Sequence, residues 1–199
     1  MEPLEKHVRI TSGGTPSRKK PEYWNGSIPW VKTGEINYQK IKRTEEYITK
    51  RGLKNSSAKL FPPGTLLVAM YGQGITRGRV GILDVEAATN QACAAIFPDE
   101  HLMVSYLYWY FSFAYDRIRN FGHGANQKNL SAKIISLIKV PVPPLKEQRK
   151  ISSILQSIDH KVSTEQKKKH ALEILFKSVL HQLMTGQIRV SDMELKENE

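Results

Sequence analysis

An internal disulfide is closed to this sequence. It has 1 cysteine, Cys93, so no internal cross-link can form. Cys93 stands in the apolar run NQACAAIF and is expected as a small buried side chain. Long apolar runs are missing too. The most apolar stretch, Leu102 to Tyr115, is about 14 residues with two serines, short of the roughly 20 that a membrane-spanning helix needs. The opening MEPLEKHVRI lacks the basic-then-apolar layout of a secretion signal. A cytoplasmic protein with no membrane partner is expected.

Catalytic signatures are equally scarce. In YGQGITRGRVG, Gly72 and Gly74 are followed by Arg77, where a dinucleotide fingerprint needs its third glycine. There is no phosphate-binding P-loop and no Asn-Pro-Pro-aromatic motif for base methylation. His7, His101, His123, His160, His170 and His181 show no ligand spacing, and a lone cysteine excludes a zinc cluster. Asp84 and Glu86 suit a nuclease by type. Alternation would place both on one strand face with no lysine partner, so they read as surface carboxylates. No catalytic residue, metal ligand or cofactor is assigned.

What the sequence does have is positive charge. Among 199 residues, 30 Lys and Arg oppose 19 Asp and Glu, a net +11 with a pI near 9.7. A polyanion such as nucleic acid fits that excess, because cation–phosphate contacts release counterions. Residues 1–145 carry a net +9, residues 146–184 a net +4 and residues 185–199 a net −2. Apolar residues make up 40%, enough for a packed core.

The first part is punctuated by glycine and proline: Gly13-Gly14, Asn25-Gly26, Ile28-Pro29, Pro62-Pro63-Gly64 and Gly72 to Gly81. Short strand-like runs lie between: SIPWVKT, EYIT, TLLVAMY, RVGILDV and CAAIF. Asp99 to Asn120 has neither breaker, and Leu102, Met103, Tyr106, Leu107, Tyr110, Phe111 and Ala114 recur at helical steps. That spacing predicts one amphipathic helix packed on a sheet, its aromatics in the core.

The composition changes at Pro141 to Pro144, and no Gly or Pro follows until Gly186. In this gap Ile151, Leu155, Ile158, Val162, Glu165, Lys169, Leu172, Phe176, Val179 and Leu183 step alternately by four and three. This is a coiled-coil seam. A helix from Lys146 to Met184 would run about 58 Å, with Gly186 as its stop. No second such helix accompanies it, so the seam is expected to meet another copy of the chain. Antiparallel pairing sets Glu165 against Lys169 twice; parallel pairing would stack like charges. The fold class is α+β. A mostly β domain with a packed helix fills residues 1–143, the long helix residues 144–184, and a tail residues 185–199.

Contact chemistry gathers in four loops. The first is SRKKPEYW, with Arg18, Lys19 and Lys20 beside Trp24. The second is MYGQGITRGR, with Arg77 and Arg79 between glycines. The third is GHGANQKNLS, with Asn126, Gln127 and Lys128. The fourth, Lys32 to Glu35, is weaker. Arg and Lys suit the major-groove edge of guanine, Asn and Gln that of adenine. Trp24 and Trp30 are expected to anchor the turns while the basic residues touch DNA. Asn126 and Gln127 could equally cap a following helix. From these features alone, a DNA-modifying enzyme and a coiled-coil adaptor stay open beside a DNA-recognition module.

Three segments resemble one family. SGGTPSRKKPEYWNGSIPWVKTGEI is similar to the opening of a target-recognition domain in the specificity subunit of type I restriction-modification enzymes. GANQKNLSAKIISLIKVPVPPLKEQRKISSIL resembles the junction into that subunit's conserved helix, and LMTGQIRV its close. The resemblance implies a non-catalytic subunit that reads double-stranded DNA. Partner methylation subunits would carry S-adenosylmethionine and methylate adenine, and a motor-nuclease subunit can join. The usual subunit has two recognition domains and two conserved helices; this sequence shows one of each. It resembles either a half-length subunit that pairs with a copy of itself or a shortened chain. As an antiparallel homodimer it would read an interrupted palindrome.

Overall fold

Alternation of side chains along two central strands organises the molecule. The structure, a computed structural model, describes residues 1–72, 75–121 and 130–190. The chain divides into two units, Met1–Ser152 and Ser153–Glu199. The first unit begins with β1 (Glu2–Pro3), β2 (Val8–Ser12), β3 (Trp24–Val31), β4 (Lys40–Ile41), β5 (Glu46–Ile48) and α1 (Lys50–Lys54). It continues with β6 (Leu60–Phe61), β7 (Leu66–Ala69), β8 (Val80–Leu83), β9 (Ala87–Thr89) and β10 (Cys93–Pro98). Then come α2 (Val104–Phe113), α3 (Tyr115–Asn120), α4 (Ala132–Ser136) and β11 (Lys139–Val140), followed by α5 (Leu145–Met184).

Five strands form one sheet in the order β2-β10-β7-β8-β4, four form another in the order β5-β3-β9-β6, and β1 pairs with β11. Leu66 and Val68 of β7, and Met70 just after it, face one core with Tyr106, Leu107, Phe111 and Ile118 of the helices. Leu67 and Ala69 face a second core with Val31, Phe61 and Ala87 of the four-stranded sheet. Strand β10 alternates in the same way, with Ala94 and Ile96 on one side and Cys93 and Ala95 on the other. Strands buried on both faces read as unbroken apolar runs, as TLLVAM and CAAIF do. The five strand-like runs of the sequence all carry strands, and Cys93 is fully buried.

Two expectations are corrected. The single helix over 99–120 is two, broken at Ala114, although Leu107, Phe111, Ala114 and Ile118 stay in one core across the break. Asn25-Gly26 and Ile28-Pro29 do not end β3; they lie inside it, where the register with β5 shifts between Trp24 and Ile28. Asn25 takes a left-handed φ of 57° there. A Cβ on Gly26 would sit 2.4 Å from the Ile48 carbonyl, so the bulge demands glycine. Pro29 pairs with Tyr47. Helix α4 is capped by Ser131, whose hydroxyl accepts from the Ile134 amide at 3.2 Å. Asn126 and Gln127, the caps the sequence offers, lie outside the described residues.

The start of α5 belongs to the first unit. Gln148 is fully buried. Its Oε1 accepts from the Met103 amide at 2.8 Å, and its Nε2 donates to the His101 and Pro143 carbonyls at 2.7 and 2.8 Å. Ile151 packs on the helix-side core. The helix closes as the spacing predicts: Gly186 takes a φ of 71°. Its amide bonds to Leu183 O at 3.2 Å, and that of Gln187 bonds to Gln182 O at 2.9 Å, a Schellman close. Among the described residues no helix is long and apolar enough to cross a membrane.

Candidate nucleic-acid interface

The first and fourth basic loops meet at one carboxylate. Arg18 grips Glu46 with two guanidinium hydrogen bonds of 2.7 and 2.8 Å. Its guanidinium carbon lies 3.7 Å from the Trp24 ring centre. Lys32 Nζ lies 2.7 Å from Glu45 and 3.8 Å from Glu46. The hydrogen bond from Arg18 holds the Glu46 carboxyl below the usual range, and Glu46 in turn raises Arg18. Lys32 is raised chiefly by its bond to Glu45. Bidentate pairing and aromatic stacking suit arginine's planar fork.

The tryptophans anchor this loop as expected. Trp30 is buried and donates its indole N–H to Gly14 O at 3.0 Å; Trp24 donates to Ser17 O at 3.1 Å. The two rings meet edge to face at 5.0 Å. The structure thus places Arg18 in the scaffold of the loop. Lys20 rests on Tyr23, with Nζ 3.1 Å from the hydroxyl. Among the described residues, no carboxylate pairs with Lys19 or Lys20, and both are exposed.

The second loop joins β7 to β8. Gly78 N bonds to Ala69 O, and Ala69 N to Arg79 O, both at 2.9 Å. Arg79 N closes a turn on Thr76 O at 3.1 Å. Gly78 takes a φ of 88° against the backbone of Arg119. The Arg79 guanidinium lies 5.9 Å from the Tyr38 ring, and Tyr115 donates its hydroxyl to Ile75 O at 2.6 Å. Of the third loop, His123, Asn126, Gln127 and Lys128 lie outside the described residues. Leu130, which follows it, bonds to Met70 O at 3.1 Å. The structure thus joins loop one to loop four and sets Leu130 beside loop two.

Sequence reasoning missed Glu46, Tyr38, Tyr115 and Arg119. The only local signal was the chemistry of each side chain; their partners are 28 to 40 residues away or on other elements. It also missed the lysines beside Asp84. Lys40 and Lys42 stand 4.0 and 3.9 Å from its carboxylate. Asp84 and Glu86 follow the end of β8 instead of sharing a strand face. Among the described residues no group of three or more His, Cys, Asp or Glu could hold a metal ion. Burial pushes the Cys93 thiol far up, which leaves it without a nucleophile's thiolate.

In the second unit the helix bares its seam. Ile158, Val162, Leu172 and Phe176 are exposed, Phe176 at 67%. Leu155, Val179 and Leu183 are half-buried. Ile154, Leu175 and Leu180 widen the apolar stripe beyond the heptad positions. Glu165 and Lys169 are exposed, and Lys169 pairs with Glu173 at 3.9 Å along its own helix. Ile151, counted in the seam by its spacing, is instead occupied by the first unit's core.

Comparisons with known proteins agree with this architecture. Residues 7–174 match the family described as type I restriction modification DNA specificity domain. The type I restriction enzyme MjaIX specificity subunit of Methanocaldococcus jannaschii is 30% identical, over 82% of this chain and 38% of its own length. The EcoR124I/EcoR124II specificity subunit of Escherichia coli is 32% identical, over 74% of this chain and 37% of its own. The crystal structure of the HsdS subunit from Thermoanaerobacter tengcongensis superposes with a TM-score of 0.63 at 18% identity, covering 91% of this chain and 43% of that one. The chain thus spans about two fifths of the length of these relatives. With the match running through the sheets and most of the long helix, the chain belongs to the family of type I restriction modification DNA specificity domains.

Proposed function

We propose that this chain is the DNA-reading part of a type I restriction-modification complex and performs no chemistry itself. The first unit binds double-stranded DNA with Lys19, Lys20, Arg77 and Arg79, and with Asn126, Gln127 and Lys128 of the third loop. Arg18 and Lys32 hold the first loop through Glu46 and can exchange that carboxylate for phosphate. The observation that carries the reading is the Arg77-Gly78-Arg79 turn. It is tied by backbone bonds to Ala69 and stands on a region of net +9. A turn whose backbone is held in place presents its two arginines to phosphates and guanine edges from a fixed position.

Methylation subunits carrying S-adenosylmethionine methylate adenine at the site so read, and a motor-nuclease subunit can complete the complex. The exposed seam of α5 supports a second part of the reading, that two copies pair antiparallel through it. Contiguous apolar surface of this kind marks an interface. Two-fold symmetry then gives an interrupted palindrome as target.

Titration of the chain onto duplex DNA across a salt series tests the reading. Binding that weakens linearly in log salt, with a slope lowered by about one when a phosphate contact such as Lys19 is removed, is expected. Salt-independent binding, or none, would overturn it.

A further inference from the structure

The second loop is framed by a device that DNA contact alone does not explain. Tyr38 adopts a left-handed φ of 54°, a conformation unfavourable for a residue with a side chain. Two bonds keep it there: its amide donates to Val80 O at 2.8 Å, and its carbonyl accepts from the Tyr108 hydroxyl at 2.8 Å. The backbone is thus forced into a costly state, and the ring it presents lies near two groups: the Tyr115 ring, edge to face at 6.0 Å, and the Arg79 guanidinium, 5.9 Å from its centre.

Tyr115 supplies the second half of the frame. Its hydroxyl accepts from Arg119 Nη1 at 2.6 Å and donates to Ile75 O at 2.6 Å. A hydroxyl that accepts from a cation is a stronger donor, so Arg119 tightens the hold on Ile75. Gly78 packs on the Arg119 backbone, 3.5 Å from where its Cβ would stand. The turn from Ile75 to Arg79 is therefore gripped at its start by Tyr115, at Gly78 by Arg119 and at its end by Tyr38. All three grips come from outside the β7–β8 hairpin.

We infer that Tyr115 and Tyr38 are positioning residues for sequence reading: they fix the direction of Arg79 without touching DNA. This rests on the DNA-reading function proposed above. A merely structural role would make Tyr115→Phe lower the melting temperature and leave the preferred sequence alone. A positioning role has the opposite signature. Tyr115→Phe keeps the ring on Tyr38 and loses only the hydroxyl, freeing the start of the turn.

The test is selection from a randomised duplex DNA pool with the whole chain, as wild type, Tyr115→Phe, Arg79→Ala and the double variant, with melting temperatures alongside. Tyr115→Phe should lower affinity for the wild-type motif about fivefold, the worth of one hydrogen bond. It should relax the same motif positions as Arg79→Ala. The double variant should be no worse than Arg79→Ala alone, since both act through one side chain. A Tyr115→Phe motif identical to wild type, or effects that simply add, would overturn the inference while leaving DNA reading intact. A wild-type chain that enriches no motif would overturn the DNA reading and this inference with it.

Discussion

Replacing Gln148 by leucine should unfasten the start of the long helix. The leucine roughly preserves volume, so the loss is almost wholly in hydrogen bonds. Gln148 makes three, to Met103 N, His101 O and Pro143 O, from a fully buried position. A lost bond costs about 1 kcal/mol net, and a buried group left without a partner costs about 1–3 kcal/mol. Leucine offers none of the three groups a replacement partner. The sum is about 2–4 kcal/mol, or roughly 5–15 °C in melting temperature for a domain of this size. Gln148→Glu sharpens the test. It sets a carboxylate against two carbonyl oxygens, so its folded-state pKa is raised. Its neutral form is tolerated below about pH 4.3, and stability falls as pH rises above that value. Circular dichroism melts from pH 4 to pH 8 read both variants. A leucine variant within about 0.5 kcal/mol of wild type, or a glutamate variant with no pH dependence of its own, would refute the reasoning.

Glu46→Gln should cost about 0.5–1 kcal/mol, since the pair it breaks is half exposed. The Glu46 carboxyl is held low, so its contribution is complete above about pH 4.3 and lost as pH falls through the lowered value; the variant's deficit, read by melts, should vanish there. Gly26→Ala should lose about 1–3 kcal/mol in chemical denaturation, because its Cβ would overlap the Ile48 carbonyl. If two copies pair as proposed, light scattering of the unaltered chain should give twice 22.7 kDa, and Leu172→Glu with Phe176→Glu should return it to 22.7 kDa. Cys93 should resist thiol reagents until the protein is denatured, and rapid labelling of the native chain would contradict its burial.

The elements legible in the sequence were those whose signal is local. The long helix could be read because a four-three repeat persists over ten positions, and its Gly186 close because only a left-handed residue fits there. The doubly buried β7 and β10 could be read as apolar runs. Strands of two residues, such as β4, β6 and β11, carry no periodicity; their pairing is set by neighbours far along the chain. The break at Ala114 has no glycine or proline to announce it. At the candidate interface, the charge of Arg18 and Lys32 was visible, but not that Glu46 and Glu45 hold them, because an ion pair across 28 residues leaves no mark on either segment. Tyr38 and Tyr115 read as ordinary aromatics until tertiary structure set one beside Arg79 and the other beneath Ile75.

A chain that chooses where a partner acts on DNA, as proposed, leaves its mark on the host's methylated sites. Methylome sequencing of host cells with the chain, without it, and with Arg77→Ala and Arg79→Ala together reads that mark. Loss of one interrupted, palindromic adenine-methylation motif on removal, and weakened or altered methylation of that motif in the double variant, is expected. A methylome unchanged by removal of the chain would contradict it.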